Sequence, residues 1–205
     1  MILAIDTTSG SSAAVVNRGE VLGFSGFDDP FGHAENIGQA IESAMSEAKV
    51  TGREIEAVAI SRGPASYTGL RVGMAAGLAF ATAREIPLLG VVSLDAIASI
   101  HGIGLTDKNW LATSDAKRGE QFVGVYEGLD RHGLATRKEQ LQVMKPEDLE
   151  KTYGSLPRIT ELCDGKTVGI YAEKANASGV KLDELSALYL RSPDVTPSSK
   201  KRVSG

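Results

Sequence analysis

The sequence predicts an α/β fold in two lobes, on three observations. Three short apolar runs separated by turn signals fill the opening of the chain. Helical and strand-like segments then alternate to about residue 100. Beyond that point a hairpin, a strand and a helix recur, shorter and less regular than before.

Ile2 to Thr7 is a nearly continuous apolar run closed by Asp6-Thr7, as suits a strand buried on both faces. Ser9-Gly10-Ser11 reads as a turn, Ala13 to Val16 as a second strand, Asn17-Arg18-Gly19 as a second turn and Val21 to Phe27 as a third strand. Asp28-Asp29-Pro30-Phe31-Gly32 breaks this meander. Ala34 to Lys49 then places Ile37, Ile41, Met45 and Ala48 on one helical face, and Thr51-Gly52 ends it. Ile55 to Ser61 is a fourth strand, Thr68 to Arg84 a helix stopped by Pro87, Leu88 to Val92 a fifth strand and Leu94 to Ile100 a short helix.

This order, βββαβαβα, is that of the ribonuclease-H-like fold shared by actin, hexokinases and acetate kinase, in which two such domains face each other with nucleotide between them. The Gly-rich, polar stretch His101 to Asn109 predicts the boundary, with an N-terminal domain over 1–100 and a C-terminal domain over 101–195. In the second domain Leu111 to Ser114 and Phe122 to Tyr126 form a hairpin around Ala116-Lys117-Arg118-Gly119. Leu141 to Met144 follows as a strand and Pro146 to Tyr153 as a helix with proline at its start. Val168 to Tyr171 reads as a strand and Leu182 to Leu190 as helix or irregular chain, so this domain is expected to be a smaller, degenerate copy of the first. Residues 196–205 are expected to be a disordered tail.

Composition narrows the function classes. The 205 residues are 42% hydrophobic and 23% charged, ordinary values for a globular protein. A net charge of −4 makes the chain a poor candidate for gripping nucleic acid by itself, because phosphate binding rests on clustered Lys and Arg. Lys200, Lys201 and Arg202 in the tail read as solvated charges. The single cysteine, Cys163, points to a reducing compartment and reads as a buried, inert thiol. The N-terminus has no basic segment, and the longest apolar run, Met74 to Ala83, is too short to span a membrane, so a cytoplasmic location is expected.

Ser61 to Gly73, SRGPASYTGLRVG, is the segment richest in chemistry. It joins a strand to a helix, but Leu70 stands where a P-loop needs lysine, and Ser66 follows Pro64-Ala65 rather than the Gly-x of a nucleophile elbow. Two readings remain: a capped, tightly turned helix start, or an anion site, with Ser66 or Thr68 as cap and the N–H groups up to Gly69 open to a ligand. Asp6, Thr7 and Thr8 carry a carboxylate and two hydroxyls at the end of the first strand, suited to phosphate or metal-bound water or, equally, to a side-chain turn. His33 lacks a second histidine four residues on, where Ile37 stands, so no metal site is expected there. Gly73, Gly77 and Ala81 recur every fourth residue, a spacing that admits a close neighbour, either inside the domain or on another chain. With Leu70, Met74 and Leu78 assigned to the core, the small face is left for a partner.

Taken together, MILAIDTT, His33-Ala34-Glu35, RGPASYTGLRVG, DAKRGEQF and LYLRSPDV resemble the bacterial TsaB (YeaZ) family. Against the family's loop pattern G-P-G-S-F-T-G-L-R-I-G, the chain keeps Gly63, Pro64, Ser66, Thr68, Gly69, Leu70, Arg71 and Gly73 and departs at Ala65, Tyr67 and Val72. Ala65 replaces a glycine that would supply a positive φ. The resemblance implies a subunit of the machinery that makes threonylcarbamoyladenosine at position 37 of tRNAs reading codons that begin with A. In that machinery the paralogue TsaD is catalytic and carries H-x-x-x-H for metal, which here is His33 and Ile37. The implied role is non-catalytic, with no cofactor required and a nucleotide expected only at the junction with TsaD. Implied partners are TsaD, the ATPase TsaE, a second copy of the chain, and tRNA through the complex. The expected pairing surface combines Ile37, Ile41 and Met45 with Leu70, Gly73, Met74, Ala76, Gly77 and Phe80. Two alternatives stand beside this: an active ATP-dependent phosphotransferase of the same superfold and a glycoprotein endopeptidase. The first needs an adenine pocket and a catalytic acid within 110–190, the second a metal or a nucleophile with its base.

Overall fold

β1 (Ile2–Asp6) is buried along its whole length and forms the middle of the first sheet. In this computed structural model, which describes residues 1–29, 31–105 and 109–191, it pairs antiparallel with β2 (Ser11–Asn17) and parallel with β4 (Ala57–Ser61). β3 (Glu20–Phe27) and β5 (Leu88–Val91) close the edges, in the order β3-β2-β1-β4-β5. The alternation of side chains divides this sheet into two apolar faces. Leu3, Ile5, Val58 and Ile60 point to one core, shared with α1 (His33–Glu47) and α2 (Tyr67–Arg84). Ile2, Ala4, Ala59 and Val91 point to the other, shared with α3 (Ser93–His101) and α5 (Gly165–Ala177).

The second sheet repeats the first in reduced form. β6 (Asn109–Asp115) pairs antiparallel with β7 (Gln121–Leu129) and parallel with the two-residue β10 (Arg158–Ile159). β8 (Ala135–Arg137) and β9 (Gln142–Met144) both pair with β7. The inner face carries Trp110 and Tyr126, ring centroids 6.3 Å apart, against α3 and α5. Tyr126 Oη donates to Asp95 at 2.8 Å, and Arg137 Nε donates to the same carboxylate at 3.0 Å, tying α3 to this sheet. The outer face packs Leu111, Val123 and Val125 on Leu149 of α4 (Pro146–Tyr153). The layers thus run helices, sheet, helices, sheet, helix.

Three expectations need correction. Val168 to Tyr171 is not a strand but lies inside α5. A four-residue apolar run has no period of its own; the deciding signal is Asp164, which caps the helix by accepting from Thr167 N at 2.8 Å. The sheets do divide near residues 101–109, yet α5 of the C-terminal half packs on the first sheet. Its Gly169 seats on Ala4 and Val16, and its Gly165 on the backbone of Ala13 and Ala14. The two halves therefore share one core, and neither is closed without the other. The third correction is the orientation of α2. Gly69, Gly73, Gly77 and Ala81 face inward, whereas Leu78 is 54% exposed. A Cβ at Gly77 would lie 2.2 Å from Ile60 Cγ2, and one at Gly73 would lie 2.3 Å from Thr7 Oγ1. The small residues bring the helix close to its own sheet, and the bulky Leu78 is left outside. The expected tail at 196–205, with Lys200, Lys201 and Arg202, lies outside the described residues.

Candidate functional site

A cleft of about 300 Å³ opens where corresponding ends of the two sheets meet. One wall is the turn after β1, with Thr8 and Ser9, together with His33 and the start of α2 from Pro64 to Tyr67. The facing wall is the β6–β7 turn, Ser114 to Arg118, with Leu162, Tyr189 and Arg191 completing the rim. Lys117 and Arg118 both hold left-handed backbone, at φ 61° and 57°, which L side chains adopt at a cost. Lys117 Nζ lies 3.0 Å from Asp115 Oδ2, an exposed pair.

Asp6 lies beneath this cleft and is 1% exposed. Burial pushes its carboxyl up to about 6, against hydrogen bonds from Thr8 that favour the charged form. Thr8 Oγ1 donates to Oδ1 at 2.8 Å, and Thr8 N to Oδ2 at 3.1 Å. Thr7 is buried under Gly73, and its hydroxyl has no partner among the described residues. Of the expected anion contacts, Thr8 and Ser66 border the cleft. Asp6 and Thr7 are covered, Thr68 is exposed, and Gly69 is buried against the His33 ring. Ser66 stands at the N-cap of α2 without a side-chain capping bond, and Thr68 lies within the first turn, so neither hydroxyl caps the helix as expected. Cys163 is buried, and that burial, with Asp6 beside it, pushes the thiol well up.

The glycine that needs a positive φ is Gly63, at +103°, where a Cβ would fall 2.8 Å from the Leu188 carbonyl oxygen. Ala65 is not among the residues with left-handed backbone, so the departure from the family pattern costs the loop nothing there. The loop is held by the segment over 182–191. Gly90 N donates to Leu182 O, Leu188 N to Arg62 O and Arg62 Nη1 to Ser186 O, at 2.8, 2.7 and 3.0 Å. Tyr189 stacks on Tyr67 with centroids 4.9 Å apart, and Arg71 lies 3.8 Å over the Tyr67 ring while its Nε donates to Tyr189 Oη. Arg191 reaches the β6–β7 turn through the Ala116 carbonyl and Glu120. Residue-type reasoning missed Lys117, Tyr189 and Arg191 as site residues. Charged hairpin tips and proline-stopped segments carry no chemistry alone, and only the fold brings them to the loop.

The nine expected pairing residues divide by depth. Ile37, Leu70, Gly73 and Gly77 are buried in the chain's own layers and present nothing outward. Ile41, Met45, Met74, Ala76 and Phe80 are half-buried along the packed flank of α1 and α2. Among the described residues no group of His, Cys, Asp and Glu is placed to hold a metal ion, and no helix is long and apolar enough to cross a membrane.

The topology and the cleft define a two-lobed α/β protein of ribonuclease-H-like architecture, with one full sheet and one reduced sheet around shared helices. Two solved structures share that fold over nearly the whole chain. YeaZ from Pseudomonas aeruginosa superposes with a TM-score of 0.73 at 22% identity, covering 92% of this chain and 99% of that one. A second protein, described by its similarity to peptidase YeaZ from P. aeruginosa, gives 0.75 at 23% identity, with 93% and 99% covered. The family model described as "TsaD: tRNA N6-adenosine threonylcarbamoyltransferase" matches residues 31–201. Escherichia coli TsaB, a tRNA threonylcarbamoyladenosine biosynthesis protein, is 33% identical over 151 residues, 71% of this chain and 63% of that protein. An uncharacterized protein of Mycobacterium leprae is 32% identical over 220 residues, 96% of this chain and 56% of that protein. The chain belongs to the TsaB (YeaZ) family, within the wider TsaD family. It spans 56–63% of the length of these two curated relatives.

Proposed function

We propose that this chain is a non-catalytic subunit of the machinery that makes threonylcarbamoyladenosine in tRNA, pairing with the transferase TsaD. Family membership carries the reading, and the start of α1 supports the non-catalytic part. His33 Nδ1 is engaged by Ser11 Oγ at 2.9 Å, and the position four residues on is the buried hydrocarbon of Ile37. Two imidazoles one helical turn apart are what a metal would need here, and this helix presents one. The chain then contributes surface rather than chemistry. TsaE joins the assembly, a second copy of the chain occupies the same surface when TsaD is absent, and tRNA is met through the complex. A nucleotide would be held at the junction with TsaD, and the work takes place in the cytoplasm.

The inward seating of α2 moves the pairing surface to its outer side. Leu78, exposed in mid-helix, then leads that surface, with half-buried Met74 one turn before it on the same flank. Leu78→Asp should leave the fold intact, because the side chain meets solvent, and should abolish co-purification with TsaD. Undiminished co-purification would move the surface elsewhere. Depletion of the protein should lower threonylcarbamoyladenosine in bulk tRNA, and an unchanged level would refute the assignment itself.

A further inference from the structure

We propose that residues 182–191 act as a clasp with one releasable end. Closed, Arg191 holds the tip of the β6–β7 turn at the mouth of the cleft; released, the tip relaxes away while the shared core stays intact. Three observations carry this. First, the segment is built firmly onto the first sheet. Gly90 N donates to Leu182 O and Leu188 N to Arg62 O, and Leu182, Leu188 and Leu190 pack on the core. A Cβ at Gly90 would lie 2.1 Å from the Glu184 carbonyl oxygen, so the chain rests directly on β5. Second, its polar hold on the other wall, among the described residues, is the Arg191 side chain. Arg191 Nη1 donates to Ala116 O at 3.1 Å, and Nη2 pairs with Glu120. Backbone bonds backed by leucines on the core outlast one half-buried side chain, so the clasp parts at Arg191.

Third, the held tip is strained. Lys117, Arg118 and Gly119 take left-handed backbone in succession, at φ 61°, 57° and 73°. Only the glycine does so freely. The turn closes through Ala116 N to Glu120 O and Glu120 N to Lys117 O, at 3.0 and 3.1 Å, and Arg191 grips Ala116 and Glu120 at its neck. A strained tip held from outside has a second arrangement open to it once the hold is gone. Ala116 and Phe122 are each 5% exposed and belong to the core, so the movement is confined to the residues between them. Lys117 and Arg118 line the cleft from this tip, and the clasp therefore sets where their side chains stand.

The test uses the full chain, nitrogen-15 labelled, with amide hydrogen exchange read by NMR. Arg191→Ala should speed exchange at the Ala116 and Glu120 amides about tenfold, through loss of one charge-assisted contact. The amides of Leu111 to Thr113 and Val123 to Val125, inside β6 and β7, should keep their rates. Adding Lys117→Gly, which removes the left-handed cost from the tip, should return most of the lost protection. A side chain that only orders the end of its own segment would not be rescued from the turn. A nitroxide on Ser9→Cys, at the opposite wall, reads the opening itself, because native Cys163 is buried away from the label. Its broadening of the Lys117 to Gly119 amides should weaken in Arg191→Ala. The proposal is overturned if Arg191→Ala leaves exchange at Ala116 and Glu120 or the nitroxide broadening unchanged. It is equally overturned if protection falls throughout β6 and β7, or if Lys117→Gly recovers none of it. TsaD enters neither measurement, so the clasp and the pairing stand or fall separately.

Discussion

Replacing Gly77 by alanine tests how α2 is seated. In an exposed helix interior this change stabilises by about 1 kcal/mol, the intrinsic advantage of alanine. Here the new methyl would lie 2.2 Å from Ile60 Cγ2 and 3.5 Å from Val58 Cγ1. Ile60 is 1% exposed and sits in a strand flanked on both sides, so its branched side chain has no flexible end to swing away. Overpacking of this kind costs about 1–3 kcal/mol, and a contact this short belongs at the upper end. After the helix gain is set against it, the net loss is about 1–2 kcal/mol. Gly38, midway along α1 with nothing within 4 Å of its added Cβ, is the internal control. Gly38→Ala should gain about 1 kcal/mol, so the two variants should differ by about 2–3 kcal/mol. Urea denaturation followed by circular dichroism reads this as midpoint shifts of opposite sign at constant slope. Equal stabilisation by both substitutions would mean that the glycine face does not rest on the sheet, and the outward surface assigned to Leu78 would fall with it.

Asp6 gives a pH signature of defined sign. Its folded-state carboxyl is raised from 3.8 to about 6, so the native state holds the proton more tightly than the unfolded chain. This contribution is present below the unfolded value and is lost as pH rises through about 6, on the order of 3 kcal/mol in all. The stability difference between wild type and Asp6→Asn should change by that order between about pH 4 and pH 7, and a flat difference would contradict the burial argument. Tyr189→Ala removes the stack on Tyr67 and the Arg71 hydrogen bond. It should cost about 0.5–1.5 kcal/mol and speed proteolysis within 182–191; unchanged cleavage there would show that the ring does not pin the segment. Asp164→Ala should cost about 1 kcal/mol through the lost cap on Thr167 N, with Asp164→Asn recovering most of it, and loss of the same size in both variants would point away from capping.

The first half of the fold was legible because each element carried its own signal. Continuous apolar β1, turn-bounded β2 and β3, and the stretches now seen as α1 and α2 appear within a residue or two of their predicted places. The second half was harder because its strands are short. β10 has two residues and β8 three, too few for alternation to register. α5 was hidden for another reason: Gly165 and Gly169, needed for close approach to the first sheet, weaken the helical pattern they serve. The small face of α2 shows what pattern alone leaves undecided. A stripe at Gly73 and Gly77 says that something comes close, and only the position of Ile60 and Thr7 says that it is the chain's own sheet. In the site, Thr8 and Ser66 were found by residue type, whereas Lys117 and Tyr189 needed the fold to bring distant segments together.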